Sequence, residues 1–376
     1  MISFTEEQLK ILEITNAIYL LLGPACNMTC RHCSQTPIKG SYGLSPEDDL
    51  SQDVIDFIKA WSDNKLSESY ARIYFWGGEP LLYWNKIKEY ILQFESLGIN
   101  PRNGYRLFSN GLLLNDEIAN FCNAHHIAFT MSYDAPNPLA VRNEVPSEEN
   151  INSFFKIRRR SVNFVYNAIN HDMVQAFSML EALFPNTLIS MGVLTDVHGI
   201  PEDIYAFEEG QIEQDVDNLA DSIVNGNDTY GNRYKFFKEQ FIRMDTFRTE
   251  KFTEYPWPPC APGIISYSFK FNGDIVRCHN DNQVICHVTD SLDDIIEAHL
   301  TVWKDLLPQK CLTCPAVSMC RNRCPIALKT QDGTEYMQCD YLRKFYVSLI
   351  RNRERLTNID LHFEKFNTQN TQTQNS

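Results

Sequence analysis

Short apolar runs alternate with longer amphipathic stretches over the first two-thirds of the chain. Six runs rich in β-branched and aromatic residues predict strands: Ala17–Leu22, Arg72–Trp76, Tyr105–Ser109, Ile127–Tyr133, Val162–Ile169 and Leu188–Leu194. Apolar residues at helical spacing predict helices between them, among them Asp49–Trp61, Leu81–Glu95, Asp116–Ala124 and His171–Leu183. This alternation predicts a parallel sheet with crossover helices, and six units are fewer than a closed barrel has. We therefore expect an α/β fold with a partial, open-sided (β/α)6 barrel.

The pattern changes after Asp196. Two stretches of mixed charge, Pro201–Val224 and Tyr230–Lys251, predict long helices that lead to a proline-rich stop at residues 255–260. A cysteine-dense segment with short strands follows, then a predicted helix over Asp340–Leu356 and a polar, low-complexity tail at 367–376 that predicts disorder. The expected domains are the barrel at 1–200, a helical linker at 201–254, a small cysteine-rich domain at 255–345, and a helix end with the tail at 346–376.

Composition narrows the class of protein. The chain has 376 residues, 43% of them hydrophobic, which suits one large domain and a smaller one. A net charge of −14 argues against a nucleic-acid-binding protein, and the one basic run, Lys156–Arg160, predicts a solvated turn. The sequence has neither a signal-peptide pattern nor an apolar run of about 18 residues, so we expect a cytoplasmic protein that does not span a membrane.

Ten of the twelve cysteines fall into two spaced sets. In a reducing compartment such thiols predict metal ligation or redox chemistry rather than disulfides. The first set, Cys26-x3-Cys30-x2-Cys33, follows the first predicted strand, so three thiolates of one loop can hold a small metal centre. They are one ligand fewer than a closed site needs, and an iron or zinc with an open position can bind a substrate. By spacing alone the set also suits a zinc site completed elsewhere in the chain.

The cysteine triad and its position after the first predicted strand resemble the cysteine motif of the radical S-adenosylmethionine (SAM) superfamily. The resemblance implies that Cys26, Cys30 and Cys33 hold three irons of a 4Fe-4S cluster, while the fourth iron binds the amino and carboxylate groups of SAM. It also implies reductive cleavage of SAM to methionine and a 5′-deoxyadenosyl radical that abstracts a hydrogen from the substrate. His32 stands where an aromatic residue is commonest in the family, and a histidine ring is also able to stack on adenine.

Further motifs of this superfamily stand at the C-terminal ends of the predicted strands. Gly77-Gly78-Glu79-Pro80 resembles the motif that holds the SAM amino group through backbone carbonyls and the glutamate. Other residues match positions that contact SAM in similar enzymes: Ser109, Asn110, Ser132 and Asp134 for its carboxylate and ribose, Arg142 for a carboxylate, and Leu194 for adenine. Taken singly, Ser109 and Asp134 also suit ordinary turns, Arg142 a surface ion pair and Leu194 the core. Their order along the chain favours SAM.

The second cysteine set comprises Cys260, Cys278, Cys311, Cys314, Cys320, Cys324 and Cys339. Its four-cysteine core alone suits a zinc knuckle, but the order of all seven resembles the SPASM domain of radical SAM peptide-modifying enzymes, which carries two auxiliary 4Fe-4S clusters. The resemblance assigns Cys260, Cys278 and Cys324 to the first auxiliary cluster, and Cys311, Cys314, Cys320 and Cys339 to the second. The first cluster is then one ligand short. Either an iron there is open to a substrate group, or Cys286 completes the set.

Several residues near these motifs qualify the resemblance. Cys286 also suits a small buried hydrophobe, and Cys122 lies in a helical pattern that predicts a core residue. Arg321 and Arg323 stand where relatives usually have glycines, and their charge would raise the potential of a nearby cluster. Sulfatase-maturing relatives carry an aspartate base directly after the cysteine matching Cys278, whereas this chain has His279 there and Asp281 two residues further on. Sulfatase maturation is therefore doubtful. We expect a surface histidine at 279, with a role as base left open.

As a whole, the resemblance implies a radical SAM oxidoreductase that oxidatively modifies a side chain of a peptide or protein, with auxiliary clusters accepting the second electron. The expected partners are that substrate and a one-electron donor of the flavodoxin or ferredoxin type. Because about 16 residues precede the first strand, we expect no separate leader-binding domain there, so the substrate would be recognised by the barrel rim, by the SPASM surface or by a separate leader-peptide-binding protein. Dehydrogenation or epimerisation of a small molecule is an alternative, and a zinc-binding module without catalysis is a third.

Overall fold

A computed structural model describes residues 16–38, 49–63, 71–101, 103–194, 199–228, 231–249, 266–304, 313–316 and 339–357. Its strands are β1 Ala17–Gly23, β2 Arg72–Gly77, β3 Tyr105–Ser109, β4 Ala128–Ser132, β5 Arg160–Tyr166, β6 Leu188–Val193, β7 Ser266–Phe269, β8 Asp274–Val276 and β9 Val284–His287. Its α-helices are Gln52–Asp63, Trp84–Ser96, Asp116–Ala124, Pro138–Val141, Glu148–Lys156, Met173–Leu183, Gln211–Val224, Asn232–Thr249, Leu292–Lys304, Cys339–Arg351 and Arg353–Thr357.

The first six strands form a parallel sheet in chain order, from β1 at one side to β6 at the other. Helices connect successive strands, as parallel pairing requires. In the part of the chain that the structure describes, β6 pairs with β5 but not with β1, so the barrel is open on one side. The prediction of six parallel strands in a partial barrel is therefore confirmed.

Side chains along each strand alternate between two faces of the sheet. One face is apolar and fully buried, as with Ile18 and Leu20 on β1 and Ile73 and Phe75 on β2. It packs against the apolar sides of the crossover helices in one core cluster that includes Trp61. Each large side chain buried in this layer contributes about 1.5–3 kcal/mol. The other face carries aromatic and polar residues, which are described with the site below.

The C-terminal segment continues the same sheet. Strand β7 pairs in parallel with the remaining edge of β1, with Ser266 opposite Ala17 and Phe269 opposite Leu20. Strands β8 and β9 then add antiparallel to give a nine-stranded order, β6-β5-β4-β3-β2-β1-β7-β8-β9. The first strands of the expected cysteine-rich domain thus extend the barrel sheet, while the division of the chain into domains stays a prediction.

Several element bounds differ from the prediction for local reasons. Strand β5 ends at Tyr166 rather than Ile169, because the Asn167 side chain accepts hydrogen bonds from the backbone N–H of Ile169 and of Asn170, both at 3.0 Å, and so forms a turn. The helix expected from residue 201 begins only at Gln211. It follows Gly210, whose φ of 77° ends the preceding turn.

Other bounds shift by a turn or less. The helix expected from Leu81 starts as a 3-10 turn over Pro80–Tyr83 and becomes an α-helix at Trp84. The C-terminal helix is divided at Asn352.

The basic run Lys156–Arg160 is not a solvated turn throughout, because Arg160 begins β5 and Arg159 donates hydrogen bonds to the carbonyls of His126 and Asn103, each at 3.0 Å.

Among the helices in the described ranges, none is both long enough and apolar enough to cross a membrane. The proline-rich stop at 255–260 and the polar tail lie outside the described residues.

Candidate active site

The three cysteines of the triad lie in the loop that follows β1. The structure describes all three as half-buried and without a disulfide. The loop turns tightly, since the backbone N–H of Cys33 donates to the carbonyl of Cys30 at 3.4 Å and that of Thr36 donates to the carbonyl of Cys33 at 3.0 Å. The triad is therefore presented from one compact loop at the C-terminal end of β1, as the sequence predicts.

The Gly77-Gly78-Glu79-Pro80 motif is in direct backbone contact with this loop. The N–H of Gly78 donates to the carbonyl of Gly23 at 2.9 Å, and the N–H of Glu79 donates to the carbonyl of Ala25 at 2.8 Å. A Cβ atom on Gly78 would lie 2.3 Å from the Ala25 carbonyl oxygen, so only glycine permits this approach. The two motifs are thus held together by main-chain contacts that side chains would disrupt.

The Glu79 carboxylate joins the second strand end to the third. It is buried, and it accepts hydrogen bonds from the Leu81 N–H at 2.9 Å, the Ser109 hydroxyl at 2.8 Å and the Asn110 N–H at 2.8 Å. Burial raises the pKa of the Glu79 carboxyl, and the hydrogen bonds from Asn110, Leu81 and Ser109 offset part of that rise. Pro80 follows at the first position of the 3-10 turn that Glu79 caps. The structure therefore brings together Glu79, Ser109 and Asn110.

A buried ion pair lies beside the triad. The Arg142 guanidinium donates from Nε to Asp134 Oδ2 at 2.6 Å, and its Nη1 lies 3.8 Å from the sulfur of Cys30. Asp134 also accepts from the Val165 N–H at 2.9 Å and lies 3.3 Å from His32 Nε2. With only 7% of Arg142 exposed, the alternative of a surface ion pair is wrong.

The charged groups beside the triad shift one another's pKa values. Burial alone would raise the pKa of Asp134, but Arg142 and His32 outweigh it, so the pKa of Asp134 lies below its usual value. Burial lowers the pKa of His32, which Asp134 offsets in part. Burial raises the pKa of the Cys30 thiol to about 11, although the Arg142 charge acts to lower it. Arg142 is thus placed to stabilise negative charge on both a carboxylate and a cysteine sulfur.

Two asparagines that the sequence analysis missed connect the triad loop to later segments of the chain, one after β3 and one after the short helix Pro138–Val141. Asn27, inside the loop, accepts a hydrogen bond from the Asn110 side chain at 2.7 Å. Asn143 accepts one from the Thr29 N–H at 2.8 Å. Each is a sequence neighbour of a predicted site residue, and that adjacency is the signal that could have found them.

The remaining predicted SAM contacts have less specific surroundings. Leu194 is 2% exposed and packs with Val141, Ile200 and Ile204, so it belongs to the core, and its contact with adenine stays a prediction. Ser132 is half-buried at the end of β4, opposite Asn163 on β5. His32 is buried, with Nε2 directed to Asp134 and no hydrogen-bond partner within the structure for Nδ1. Stacking of the His32 ring on adenine also stays a prediction.

The three thiols of the triad suit the ligand set of a 4Fe-4S cluster. Among the described residues, no three His, Cys, Asp or Glu side chains are grouped as ligands of one metal ion. A 4Fe-4S cluster makes a different demand, because each of its cysteines binds a different iron. Three thiols on one loop meet that demand, and the Arg142 guanidinium next to Cys30 acts to lower the pKa of that thiol against the effect of burial.

The second cysteine set is described only in part. Cys278 is buried, and Cys314 and Cys339 are half-buried, whereas Cys260, Cys311, Cys320 and Cys324 lie outside the described residues together with Arg321 and Arg323. Cys286 lies on β9 opposite Ile275 and packs against the main core, and burial raises its pKa to about 12. Cys122 is 1% exposed, which confirms it as a core residue.

His279 is not the expected surface histidine. Its ring stacks on Tyr19 of β1, with centroids 4.2 Å apart and planes at 15°, and meets Trp76 edge-on at 4.6 Å. Burial lowers the pKa of His279 to about 4. The next residue, Asn280, accepts hydrogen bonds through Oδ1 from the Trp76 indole at 3.1 Å and from the Gln35 amide at 3.3 Å. The turn after Cys278 therefore contacts the inner face of the barrel.

Comparison with known proteins agrees with this geometry. Residues 20–182 match the family model of the radical SAM superfamily. The superfamily implies a 4Fe-4S cluster and SAM as its cofactors. Among curated proteins, the radical SAM cyclopropyl synthase TigE of Paramaledivibacter caminithermalis is 27% identical over 147 residues. That match spans 35% of this chain and 29% of TigE, so it covers less than a third of the relative's length.

Solved structures resemble most of the chain. The anSMEcpe structure with bound AdoMet (SAM) is similar with a TM-score of 0.68 and 15% identity, over 92% of this chain and 100% of the other. SuiB of Streptococcus suis is similar with a TM-score of 0.58 and 15% identity, over 86% of this chain and 78% of the other. At such identity the likeness establishes the fold, which is the parallel-sheet α/β core of radical SAM proteins.

Proposed function

We propose that this protein is a cytoplasmic radical SAM oxidoreductase that cleaves SAM reductively and oxidatively modifies a side chain of a peptide or protein. The contact between the triad loop and the Gly77–Glu79 backbone is the observation that carries the proposal. Three thiols, the Gly77–Gly78 backbone and the Arg142–Asp134 ion pair lie together at one end of the parallel sheet. That is the end where ligand sites of such barrels form.

The residues of the site have distinct tasks in this proposal. Cys26, Cys30 and Cys33 would hold the cluster, which when bound supplies the electron that cleaves SAM. The half-buried backbone of Gly77 and Gly78, with the Glu79 carboxylate, would receive the SAM amino group. Ser109, Asn110, Ser132 and Asp134 would meet its carboxylate and ribose, and Arg142 would neutralise negative charge beside Cys30.

A peptide substrate has support from the similar structures and from the second cysteine set. One similar structure is anSMEcpe with bound AdoMet and the Cp18Cys peptide, and another is SuiB bound to the precursor peptide SuiA. In this chain, the order of the cysteines from Cys260 to Cys339 resembles the SPASM domain of peptide-modifying enzymes. Two auxiliary 4Fe-4S clusters bound there would accept electrons from the substrate, with Cys286 or an open iron completing the first.

The proposal also includes partners. A flavodoxin- or ferredoxin-type protein would deliver the first electron, and a separate protein would bind the leader part of the substrate. Neither nucleic acid nor membrane is a partner in this account, in line with the net charge of −14.

The test is co-expression of the full chain with short peptides encoded beside its gene, followed by mass spectrometry. A two-electron oxidation is expected to remove two hydrogens from the peptide without adding atoms. The Cys30→Ala variant of the enzyme should leave the same peptide unchanged. Modification by that variant, or turnover of small molecules alone, would contradict the proposal.

A further inference from the structure

The inner face of the barrel carries a stack of aromatic rings across three strands. Tyr19 on β1 stacks on Tyr74 of β2 with centroids 4.5 Å apart, and Tyr74 lies parallel to Phe108 of β3 at 6.4 Å. Trp76 meets the rings of Tyr19 and Phe108 edge-on, at 5.8 and 5.4 Å. Because Gly77 and Gly78 directly follow Trp76, this aromatic surface adjoins the candidate SAM site.

Arg106 extends across this surface toward the same end of the barrel. Its guanidinium lies over the Phe108 ring at 5.0 Å, and its Nη2 donates a hydrogen bond to the Thr130 hydroxyl at 3.0 Å. Phe108 and Thr130 are opposite each other in the sheet, and the next residue of β3 is Ser109, which contacts Glu79. The guanidinium therefore lies one residue level below the strand ends that form the candidate SAM site.

Within the ranges that the structure describes, the Arg106 guanidinium has no acidic partner. Among the described residues, no carboxylate forms an ion pair with Arg106 or with Arg72, and the hydrogen bonds of Arg106 to Thr130 and of Arg72 to Tyr74 end on neutral hydroxyls. Arg72 also has its Nε buried without a partner in the structure. Burial lowers the pKa of Arg106, Tyr74 offsets part of that decrease, and the charge of Arg72 adds to it.

Two partly buried cations without a counter-ion are costly to fold, because each loses hydration that no carboxylate replaces. The chain has 48 acidic residues against 34 Lys and Arg, so acidic side chains are abundant in its composition. Elsewhere the same fold pairs a buried arginine, Arg142, with Asp134 at 2.6 Å. An unpaired guanidinium at a ligand-facing position is expected where the ligand itself supplies the anion.

We propose that Arg106, supported by the charge of Arg72, anchors a carboxylate of the substrate inside the barrel, while the adjoining aromatic surface of Tyr74, Trp76 and Phe108 receives the apolar part of the reacting residue. The inference rests on the proposed function and adds a substrate class to it. The substrate would carry a carboxylate close to the modified position, from an Asp or Glu side chain or from the C-terminus of the peptide.

The test measures binding of three small probes to the full-length, anaerobically reconstituted protein with SAM, by saturation-transfer NMR titration. The probes are N-acetylglutamate N-methylamide, its neutral glutamine analogue, and N-acetylalanine, which presents a terminal carboxylate. We expect one of the acidic probes to bind roughly tenfold or more tightly than the neutral analogue, since a charge-assisted hydrogen bond is lost with the amide. Preference for N-acetylglutamate N-methylamide would indicate a side-chain carboxylate, and preference for N-acetylalanine a terminal one.

The variants assign the effect to Arg106. Arg106→Gln should abolish the preference for the acidic probe, and Arg106→Lys should retain part of it, because lysine keeps the charge but loses the planar donor pair. Arg158→Gln, at an exposed position of the basic run, is the matched control and should keep the full preference. Arg72→Gln should weaken the preference, which provides a second test if Arg106→Gln does not fold.

Equal binding of the acidic and neutral probes by the wild type would overturn the inference. So would an unchanged preference in Arg106→Gln, or no detectable binding of any probe. Formation of 5′-deoxyadenosine from SAM is measured in the same samples. If SAM is cleaved but the acidic probes bind no more tightly than the neutral one, the inference about the carboxylate anchor is wrong while the proposed function stands. If the wild type does not cleave SAM, the proposed function fails.

Discussion

The side-chain oxygen of Asn280 accepts a hydrogen bond from the indole nitrogen of Trp76 at 3.1 Å. Trp76 directly precedes the Gly77–Pro80 motif, and Asn280 follows Cys278 by two residues. The same oxygen accepts from Gln35, two residues past Cys33, at 3.3 Å, and the Asn280 N–H lies 3.5 Å from the Cys278 sulfur. One asparagine therefore connects the triad loop, the glycine motif and the first cysteine of the C-terminal segment that the structure describes.

Replacing Asn280 should loosen that connection. Asn280→Ala leaves the Trp76 and Gln35 donors without their acceptor, at a cost of about 1–3 kcal/mol. For a chain of this size we expect a melting temperature lower by roughly 1–4 °C, since the shift is about 1.3 °C per kcal/mol. Differential scanning calorimetry of the anaerobic protein measures it. Gln283→Ala changes an exposed side chain close to the same turn and should leave the melting temperature unchanged. Equal melting temperatures for Asn280→Ala and the wild type would show that the bond is of no consequence.

Replacing the aspartate by asparagine should destabilise the protein more in the buried Arg142–Asp134 ion pair than in the exposed Arg31–Asp203 ion pair. Asp134→Asn leaves the Arg142 charge buried without its counter-ion, and we expect a loss of about 3–5 kcal/mol in the free energy of unfolding. Asp203→Asn is the matched control. Its partner, Arg31, is bound at 2.6 Å, but Asp203 is 59% exposed, so the expected loss is within about 1 kcal/mol. Denaturant titration measures both, and equal losses would contradict the account of the pair.

The close approach of the Gly78 backbone to the triad loop leads to a prediction about how well the protein retains its iron–sulfur cluster. Gly78→Ala places a Cβ atom 2.3 Å from the Ala25 carbonyl oxygen, so the triad loop has to move away from the strand end. We expect lower iron content after reconstitution and weaker SAM binding, measured by iron analysis and equilibrium dialysis. At Gly192 an added Cβ atom meets its nearest neighbours at 3.6 to 3.7 Å, an ordinary contact, so Gly192→Ala should retain the wild-type iron content. An iron content in Gly78→Ala equal to that of Gly192→Ala would refute the need for glycine.

Local sequence pattern predicted the six parallel strands and the residues at their C-terminal ends. Short apolar runs mark the strands, and the carboxyl ends of parallel strands share one edge of the sheet. The position of Glu79, Ser109 and Asp134 at that edge follows from this pattern, whereas their assignment to SAM came from the resemblance to radical SAM motifs. The pairing of β7 with β1 does not, because it joins Ser266 to Ala17 across most of the chain. Contacts of that range leave no periodic signal near either residue.

The error at His279 has the same origin. The residue lies in a short polar turn, which favours an exposed position, whereas its stacking partners Tyr19 and Trp76 belong to strands that are remote in sequence. The lack of a carboxylate partner for Arg106 among the described residues was equally hidden, because a charge within a strand predicts neither the presence nor the absence of a distant carboxylate. The sequence therefore indicated the candidate SAM site at the C-terminal ends of the strands, and the structure was needed to see the inner face of the barrel beneath it.

The most direct test of the central claim is anaerobic SAM cleavage by the reconstituted full-length protein, with iron counted in the same samples. The wild type should hold about 12 irons and form 5′-deoxyadenosine when reduced. Cys30→Ala should hold about 8 irons and form none. Cys122→Ala, at a buried core cysteine outside both sets, should behave as the wild type does. A colourless wild-type protein that binds only zinc, or 5′-deoxyadenosine formation that survives in Cys30→Ala, would contradict the account.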